Sequence, residues 1–175
     1  AGVDHFMPKP FFLSRFQEAI RRVMYQKPGG EAAAPEPDES AVKGKHILVV
    51  EDIEVNRLVL VKILKTRGAT CDIAKDGREA VEMFEKSDPG EYDMILMDVQ
   101  MPVMNGYQAT REIRKGNHPC GKTVPIIAMT ANAFADDVRD ALEAGMDAHV
   151  AKPIILANLE KTIQEVLEEK EKEQG

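Results

Sequence analysis

Short apolar runs alternate regularly with segments of helical periodicity from residue 46 onward, and this alternation is the strongest constraint on the fold. The short runs occupy 46–50, 71–74, 94–97, 124–129 and 148–150. Apolar residues recur at helical spacing in 54–66, 77–86, 107–115, 133–144 and 154–172. Strict alternation of this kind is typical of βαβ units with right-handed crossovers. It predicts one doubly wound α/β domain, with a parallel sheet between two layers of helices.

Two of these segments carry more specific expectations. The segment 54–66 is predicted to be helical because its apolar residues fall on one helical face, at Val55, Leu58, Val59 and Ile63. The run 124–129 contains Pro125. Proline in sheets is found mainly on edge strands or at strand starts. We therefore interpret this run as an edge-compatible strand that begins at the proline.

The residues before the alternation predict further organisation. Residues 26–43 contain three prolines and one large apolar residue, Val42, which indicates a solvated linker. Residues 1–24 align with 144–167 at eight identical positions, including both AG-x-D and KP. We interpret 1–25 as the remnant of a preceding domain of the same kind, 26–43 as a linker and 44–172 as the complete domain. The first residue is not Met, so we expect a piece of a longer protein.

Composition excludes several classes of function. The chain has 30 acidic and 23 basic residues, and this acid excess argues against binding to a nucleic-acid backbone. No apolar run approaches the roughly 18 residues that a membrane-spanning helix needs. The two cysteines, Cys71 and Cys120, lack metal-ligand spacing and are too few for a disulfide framework. We therefore expect a cytoplasmic domain without membrane contact.

Polar residues follow four of the predicted strands. They are Glu51, Asp52, Asp98, Thr130 and Lys152. Because the carboxyl ends of parallel strands meet at one edge of the sheet, these side chains are predicted to converge there. Clustered carboxylates repel each other unless a cation lies between them, and Mg²⁺ prefers oxygen ligands. Together with a lysine and a hydroxyl, the set indicates phosphoryl-transfer chemistry.

Each of these residues also has an ordinary structural interpretation. Asp52 and Thr130 are both residue types that cap helices. Asp98 could be a turn residue before a loop with Pro and Gly, and Lys152 could be a surface lysine. Competing phosphate chemistries find no support, because the sequence has no P-loop or dinucleotide fingerprint. A phosphatase of the haloacid dehalogenase type would need an aspartate where Gln100 stands.

Four motifs together resemble the receiver domain of two-component response regulators. They are VVEDIEVNRLVL, ILMDVQMPVMNGYQATREIR, IIAMTANAF and HVAKPI. The likeness covers 44–170 and is greatest to receivers attached to hybrid histidine kinases or multi-receiver regulators. Residues 1–24 resemble the end of another receiver. The resemblance implies a flavodoxin-like (CheY-like) fold, with five helices around a five-stranded parallel sheet in the order 2-1-3-4-5.

The resemblance also implies roles for the acidic residues. Asp98 would be the phosphoacceptor. Asp52 would bind Mg²⁺ directly, with Mn²⁺ as a substitute, and Glu51 would assist. Asp98 and the backbone carbonyl of Gln100 would supply further ligands to the same ion.

Other matching positions would act on the phosphoryl group or report its presence. Thr130 would bond a phosphoryl oxygen, and Lys152 would pair with the phosphoryl group. The peptide bond between Lys152 and Pro153 would be cis. His149 stands where many receivers have a Tyr or Phe switch residue, so we interpret it as a switch ring, with a pH sensor as the alternative. Gln100 and Asn132 would tune hydrolysis of the acyl phosphate.

As a receiver, the domain would take a phosphoryl group from a phosphohistidine on a histidine kinase or a histidine phosphotransfer domain. Phosphorylation would shift its conformation at the face of the fourth helix, fifth strand and fifth helix. This face or residues 1–24 could support self-association, and other domains of the parent chain would be partners. Such a domain is a signalling module that catalyses its own phosphorylation and dephosphorylation. The alternatives are a pseudo-receiver scaffold and a phosphohydrolase that forms an aspartyl phosphate.

Overall fold

The structure is a computed structural model that describes residues 39–131 and 134–174. Its strands are β1 (His46–Val50), β2 (Thr70–Ala74), β3 (Met94–Asp98), β4 (Ile126–Thr130) and β5 (Ala148–Ala151). Its helices in those ranges are α1 (Glu54–Thr66), α2 (Gly77–Lys86), α3 (Gly106–Lys115), α4 (Ala135–Ala144) and α5 (Leu156–Gln174). All strand pairs are parallel and the order is β2-β1-β3-β4-β5. The predicted fold is confirmed.

The strands are covered on both faces, which explains their continuous apolar sequences. Alternate strand residues point to opposite sides of the sheet. Leu48, Val50, Ile95 and Met97 pack with α2, α3 and α4 on one side. Ile47, Val49, Leu96 and Met129 pack with α1 and α5 on the other side. The sheet is therefore the middle layer of three, as the alternation predicted.

The apolar face that periodicity identified in α1 is not the buried one. The helix buries Leu60, Val61 and Leu64 against the sheet. Exposed side chains include three of the four predicted positions, at Val55, Leu58 and Val59. Because α1 has apolar residues around most of its circumference, periodicity alone could not say which side faces the core. The helix was correctly predicted, but its apolar residues serve two surfaces.

The start of β4 also differs from the sequence prediction. The strand begins at Ile126, because the Val124 amide donates to the carbonyl of Cys120 in a turn and Pro125 has no N–H to donate to a ladder. The strand lies between β3 and β5. Its interpretation as edge-compatible was therefore wrong, and the proline lies before the strand instead of within it.

Residues just before β1 pack against α5. The Ser40 hydroxyl donates to the Glu160 carboxylate, and the Ala41 amide donates to its other oxygen at 3.0 Å. Val42 is 1% exposed and belongs to the core between the sheet and α5. The domain boundary at 44 stays a prediction, but residues 40–42 contribute to the packing of the domain.

A part-buried polar network connects the amino ends of β4 and β5. Asp147 precedes β5 and accepts hydrogen bonds from the Ile126 amide at 2.8 Å and from Arg114 at 3.0 Å. Lys170 of α5 pairs with its other oxygen at 3.0 Å. Arg114 also donates to the carbonyls of Gly121, Val124 and Gly145. This network joins α3, both strands and α5 at the end of the sheet opposite the predicted site.

Candidate functional site

The three predicted carboxylates meet at the carboxyl end of the central strands. Glu51 follows β1 and is 2% exposed, and Asp98 ends β3 and is 3% exposed. One ligand-capable oxygen from each of Glu51, Asp52 and Asp98 lies within 4.8 Å of the others. Adjacent parallel strands bring their ends to one edge, so residues 46 positions apart in sequence become neighbours. The predicted convergence is therefore observed.

Lys152 supplies one positive charge to this cluster. Its Nζ lies 2.8 Å from Oε2 of Glu51 and 3.0 Å from Oδ1 of Asp98. It is placed there by the turn after β5, where the Lys152 amide donates to the carbonyl of Thr130 and the Lys152–Pro153 bond is cis. Lys152 is therefore a member of the site and not an ordinary surface lysine.

The third carboxylate is not satisfied by this lysine. Oδ1 of Asp52 is buried and has no hydrogen-bond partner among the described residues. A buried charged oxygen without a partner is costly, and it marks a place where a cation would be stabilising. Three carboxylates balanced by one lysine leave an excess of negative charge. The site therefore suits a hard divalent cation with oxygen ligands.

The same crowding changes the acidity of the site residues. Burial raises the pKa of Asp98 to about 7, and the nearby Glu51 carboxylate adds to the increase, while the hydrogen bond from Lys152 opposes it. Burial lowers the pKa of Lys152, but its hydrogen bonds to Glu51 and Asp98 outweigh this effect and raise it overall. Lys152 is therefore charged at neutral pH, whereas Asp98 is easily protonated until a further cation joins the site.

Thr130 is the last residue of β4. It lies beside Asp98, because Asp98 pairs in register with Met129, the residue just before Thr130. It is 8% exposed. The backbone caps of the helices show that neither Thr130 nor Asp52 is an N-cap, since α1 begins after Ile53 and α4 after Phe134. The capping interpretation is therefore wrong for both. Both residues lie at the end of the sheet that carries the site.

Arg57 was missed by the sequence analysis, although it lies within a quoted motif. Its Nη1 donates to the backbone carbonyls of Glu51 at 3.0 Å and Asp52 at 2.9 Å. The Ile53 amide donates to the Glu51 carboxylate at 3.2 Å. These contacts fix the loop that carries the acidic pair. No spacing rule predicts them, because the acceptors are backbone atoms.

Gly106 fixes the other side of the site. A Cβ at this position would overlap the backbone carbonyl of Asp98. The Gly106 amide donates to the carbonyl of Val99 at 2.9 Å, and the preceding Asn105 caps α3. Only glycine allows α3 to begin this close to the end of β3.

An open cavity of about 540 Å³ borders the carboxylates on the side of Asp52. Its lining includes Asp52, Gln100, Asn105, Tyr107, Thr130 and Asp137. Gln100 is therefore beside the site, as predicted. Asn132 lies outside the described residues. His149 lies within β5, half-buried, and burial lowers its pKa.

The exposed apolar side chains lie at the same end of the sheet as this site. In the described ranges, the large exposed apolar residues lie on α1 or in loops that follow β1, β3, β4 and β5. They are Ile53, Val55, Leu58, Val59, Val103, Phe134 and Ile155. We call them the apolar rim. Several large exposed apolar side chains at one end of a domain favour a protein-interaction site there.

Comparison with known proteins identifies the family. A family model described as the response regulator receiver domain matches residues 47–164. The chain therefore belongs to the response regulator receiver domain family, and the predicted resemblance is confirmed. In the part of the chain that the structure describes, no helix has both the length and the apolar character to cross a membrane.

Individual relatives place the chain more closely. It is 37% identical over 155 residues to probable histidine kinase 2 of Oryza sativa subsp. indica. That match covers 82% of this chain but 15% of the rice protein. The chain thus spans a small part of that curated relative.

Two solved structures are informative. One is the receiver domain of sensor histidine kinase PA1611 from Pseudomonas aeruginosa PAO1, which has a magnesium ion in its active site cleft. It is 43% identical to this chain, with a TM-score of 0.63, and the match covers 71% of this chain and 98% of that one. The Saccharomyces cerevisiae complex of the phosphotransfer protein Ypd1 with the receiver domain of Ssk1 matches with 32% identity and a TM-score of 0.60, over 69% of this chain and 87% of that one.

Proposed function

We propose that this domain accepts a phosphoryl group from a phosphohistidine onto Asp98, with Mg²⁺ as cofactor, and transmits the change to other domains of a hybrid histidine kinase. The observation that carries this proposal is the unpartnered Oδ1 of Asp52, buried within an acidic cluster that has one lysine. Such a cluster is unfavourable as a structural element. It becomes favourable when a cation and then an anion enter it.

The residues present fit Mg²⁺. Asp52, Asp98 and the backbone carbonyl of Gln100 would hold the ion, and Glu51 would assist. This all-oxygen set matches the preference of Mg²⁺, and Mn²⁺ would substitute. When bound, the ion neutralises charge on the incoming phosphoryl oxygens. The magnesium ion in the PA1611 receiver supports this assignment.

Asp98 would act as the nucleophile. One of its carboxylate oxygens forms a bond to phosphorus as the phosphorus–nitrogen bond to the donor histidine breaks. The histidine nitrogen keeps the electron pair of that bond, and the ring leaves as a neutral imidazole because its other nitrogen already carries a proton. Lys152, already 3.0 Å from Asp98, stays beside the new acyl phosphate as its counter-charge, and the Thr130 hydroxyl donates to a phosphoryl oxygen.

The donor would be a protein and not a small metabolite, because the apolar rim lies at the same end of the sheet as the site. Val55, Leu58 and Val59 of α1 form an apolar surface next to the loop of Asp52. We assign this surface to the histidine phosphotransfer domain or kinase that carries the phosphohistidine. The solved complex of Ypd1 with a related receiver supports a partner of this kind.

Phosphorylation would then change the packing near β5. Movement of Thr130 toward the phosphoryl group would open space for His149. Burial lowers the pKa of His149, so the ring is neutral at pH 7, which favours a switch ring over a pH sensor. Gln100 and Asn132 carry amides that can bond an attacking water but cannot deprotonate it effectively, so we expect hydrolysis of the acyl phosphate to be modest rather than fast.

The face of α4, β5 and α5 would transmit this change and, with residues 1–24, could mediate self-association. The free cysteines Cys71 and Cys120 support a cytoplasmic location. The intact set of Asp52, Asp98, Thr130 and Lys152 favours a phosphoacceptor over a pseudo-receiver scaffold.

Intact-mass spectrometry after incubation with acetyl phosphate tests the proposal. We expect one phosphoryl adduct, which requires Mg²⁺ or Mn²⁺ and is lost in Asp98→Ala. Asp88→Ala is the matched control, because it removes an exposed carboxylate away from the site. An adduct that persists in Asp98→Ala at wild-type yield would overturn the assignment.

A further inference from the structure

A second cluster of metal-ligating side chains lies near the amino ends of β1 and β3, away from the carboxylates described above. His46 begins β1, Asp72 belongs to β2, and Glu91 lies in the loop before β3. One ligand-capable atom from each of these residues lies within 4.8 Å of the others. The cluster combines an imidazole with two carboxylates, so it differs in chemistry from the all-carboxylate site.

The hydrogen bonds of His46 show that a cation belongs between it and Asp72. Nδ1 of His46 lies 3.0 Å from the backbone carbonyl of Glu91, which can only accept, so Nδ1 carries a proton. Nε2 lies 3.1 Å from Oδ2 of Asp72. In a neutral ring, Nε2 would then direct a lone pair at a carboxylate oxygen. The contact is favourable only with a proton or a metal ion between the two atoms.

The surroundings favour a metal ion, because both carboxylates are oriented by groups outside the cluster. The Tyr92 hydroxyl donates to Oδ2 of Asp72 at 2.8 Å. The Asp88 amide donates to Oε2 of Glu91 at 2.8 Å. The backbone amide of His46 donates to the Asp93 carboxylate, also at 2.8 Å, which holds the chain at the start of β1. A hydrogen bond from the second imidazole nitrogen to a carbonyl, as here to Glu91, is the usual support of a metal-bound histidine.

We propose that His46, Asp72 and Glu91 form a second cation site, which binds Zn²⁺ through one imidazole nitrogen and two carboxylates. A mixed nitrogen and oxygen set suits Zn²⁺ and similar transition metals better than Mg²⁺. The side chains of His46 and Asp72 are 28% and 42% exposed, so an ion can enter from solvent. Water would complete the coordination. Binding would join β1, β2 and the loop before β3.

Calorimetric titration of the whole chain with ZnCl₂ at pH 7.5 tests this proposal. We expect one equivalent of Zn²⁺ to bind in wild type and in Asp52→Ala, which separates this site from the carboxylate site. His46→Gln and Glu91→Gln should each weaken that binding at least about tenfold. Glu143→Gln is the control for an exposed carboxylate outside the cluster, on α4, and should have no effect.

Glu91→Gln also protects the test against misfolding, because Glu91 is exposed and its loss should leave the melting temperature without metal unchanged. At one fixed zinc concentration, zinc should raise the melting temperature of wild type more than that of Glu91→Gln. The proposal is overturned if Zn²⁺ does not bind below about 1 mM, or if His46→Gln and Glu91→Gln both bind it as wild type does. In that case a proton alone bridges His46 and Asp72.

Discussion

Two acidic residues at opposite ends of the sheet differ in how their oxygens are satisfied. Asp147, at the amino ends of β4 and β5, accepts hydrogen bonds from Arg114 and the Ile126 amide on one oxygen and pairs with Lys170 on the other. Asp52, beyond the carboxyl end of β1, has a buried oxygen with no partner among the residues described. Both residues lie among charged neighbours, but only Asp147 has a partner for each carboxylate oxygen without a ligand.

The difference separates structural from functional acids. A polar network in which every group has a partner fixes one arrangement of the chain, and it has no unsatisfied oxygen with which to bind a ligand. An incomplete one costs free energy in the isolated domain and becomes favourable only when something binds. Glu160 belongs with Asp147, since Ser40 and the Ala41 amide satisfy its two oxygens. Asp98 belongs with Asp52, because burial and Glu51 raise its pKa despite the hydrogen bond from Lys152.

The largest effect that we expect is a loss of stability when Asp147, the structural acid, is removed. Asp147→Ala leaves Arg114 without its carboxylate and Lys170 with only the more distant Glu173. It should lower the free energy of unfolding by about 3 kcal/mol. Mg²⁺ affinity should stay within about twofold of wild type, because the site at the other end of the sheet is intact. Urea denaturation and Mg²⁺ titration measure the two quantities. A loss of stability below about 1 kcal/mol would remove the distinction.

The packing of residues 40–42 gives a second, smaller structural effect. A chain that begins at residue 39 keeps the contacts of Ser40 and Val42 with α5, whereas one that begins at 44 loses them. Burial of a valine side chain contributes about 1.5–3 kcal/mol. The shorter chain should therefore be less stable by about 2 kcal/mol in urea denaturation, while both still take one phosphoryl group. Equal stability of the two chains would show that residues 40–42 are linker.

Removal of Asp52, the acid with an unpartnered oxygen, tests the proposed metal site. Asp52→Ala should weaken Mg²⁺ binding at least about tenfold, equivalent to about 1.4 kcal/mol, without loss of stability, because the unpartnered oxygen is removed. Lys152→Ala is the matched control at the same site. It removes a positive charge and should leave Mg²⁺ affinity intact or increase it. Equal losses of affinity in the two variants would refute this division of roles.

The smallest effect is a dependence on pH. With its pKa near 7, Asp98 holds a proton that competes with Mg²⁺, so affinity should rise about fourfold from pH 6.5 to pH 8. The raised pKa also means that the folded domain binds this proton more tightly than the unfolded chain does. Its contribution to stability is therefore present at low pH and is lost as pH rises through 7. Asp98→Asn should abolish both trends, as titration and denaturation at the two pH values would show.

Much of this could be predicted from the sequence, for physical reasons that particular residues illustrate. Buried parallel strands have continuous apolar sequences, so the fold could be predicted from the apolar runs. The convergence of Asp98 with Lys152 could be predicted because both residues follow such runs. The outward face of α1 did not follow, because Val55 and Leu60 are equally apolar and only packing distinguishes them. Arg57 was missed because its partners are backbone carbonyls. The start of β4 was misplaced because Pro125 ends a turn.

The central claim is that the cluster of Glu51, Asp52 and Asp98, which has an unpartnered carboxylate oxygen, accepts a phosphoryl group on Asp98. Reduction with borohydride after acetyl phosphate treatment converts an aspartyl phosphate to homoserine, and peptide mass spectrometry then locates it. The account predicts homoserine at position 98 in samples with Mg²⁺, none after chelation, and none at Asp147 under either condition. Homoserine at another aspartate, or at position 98 with equal yield after chelation, would contradict it.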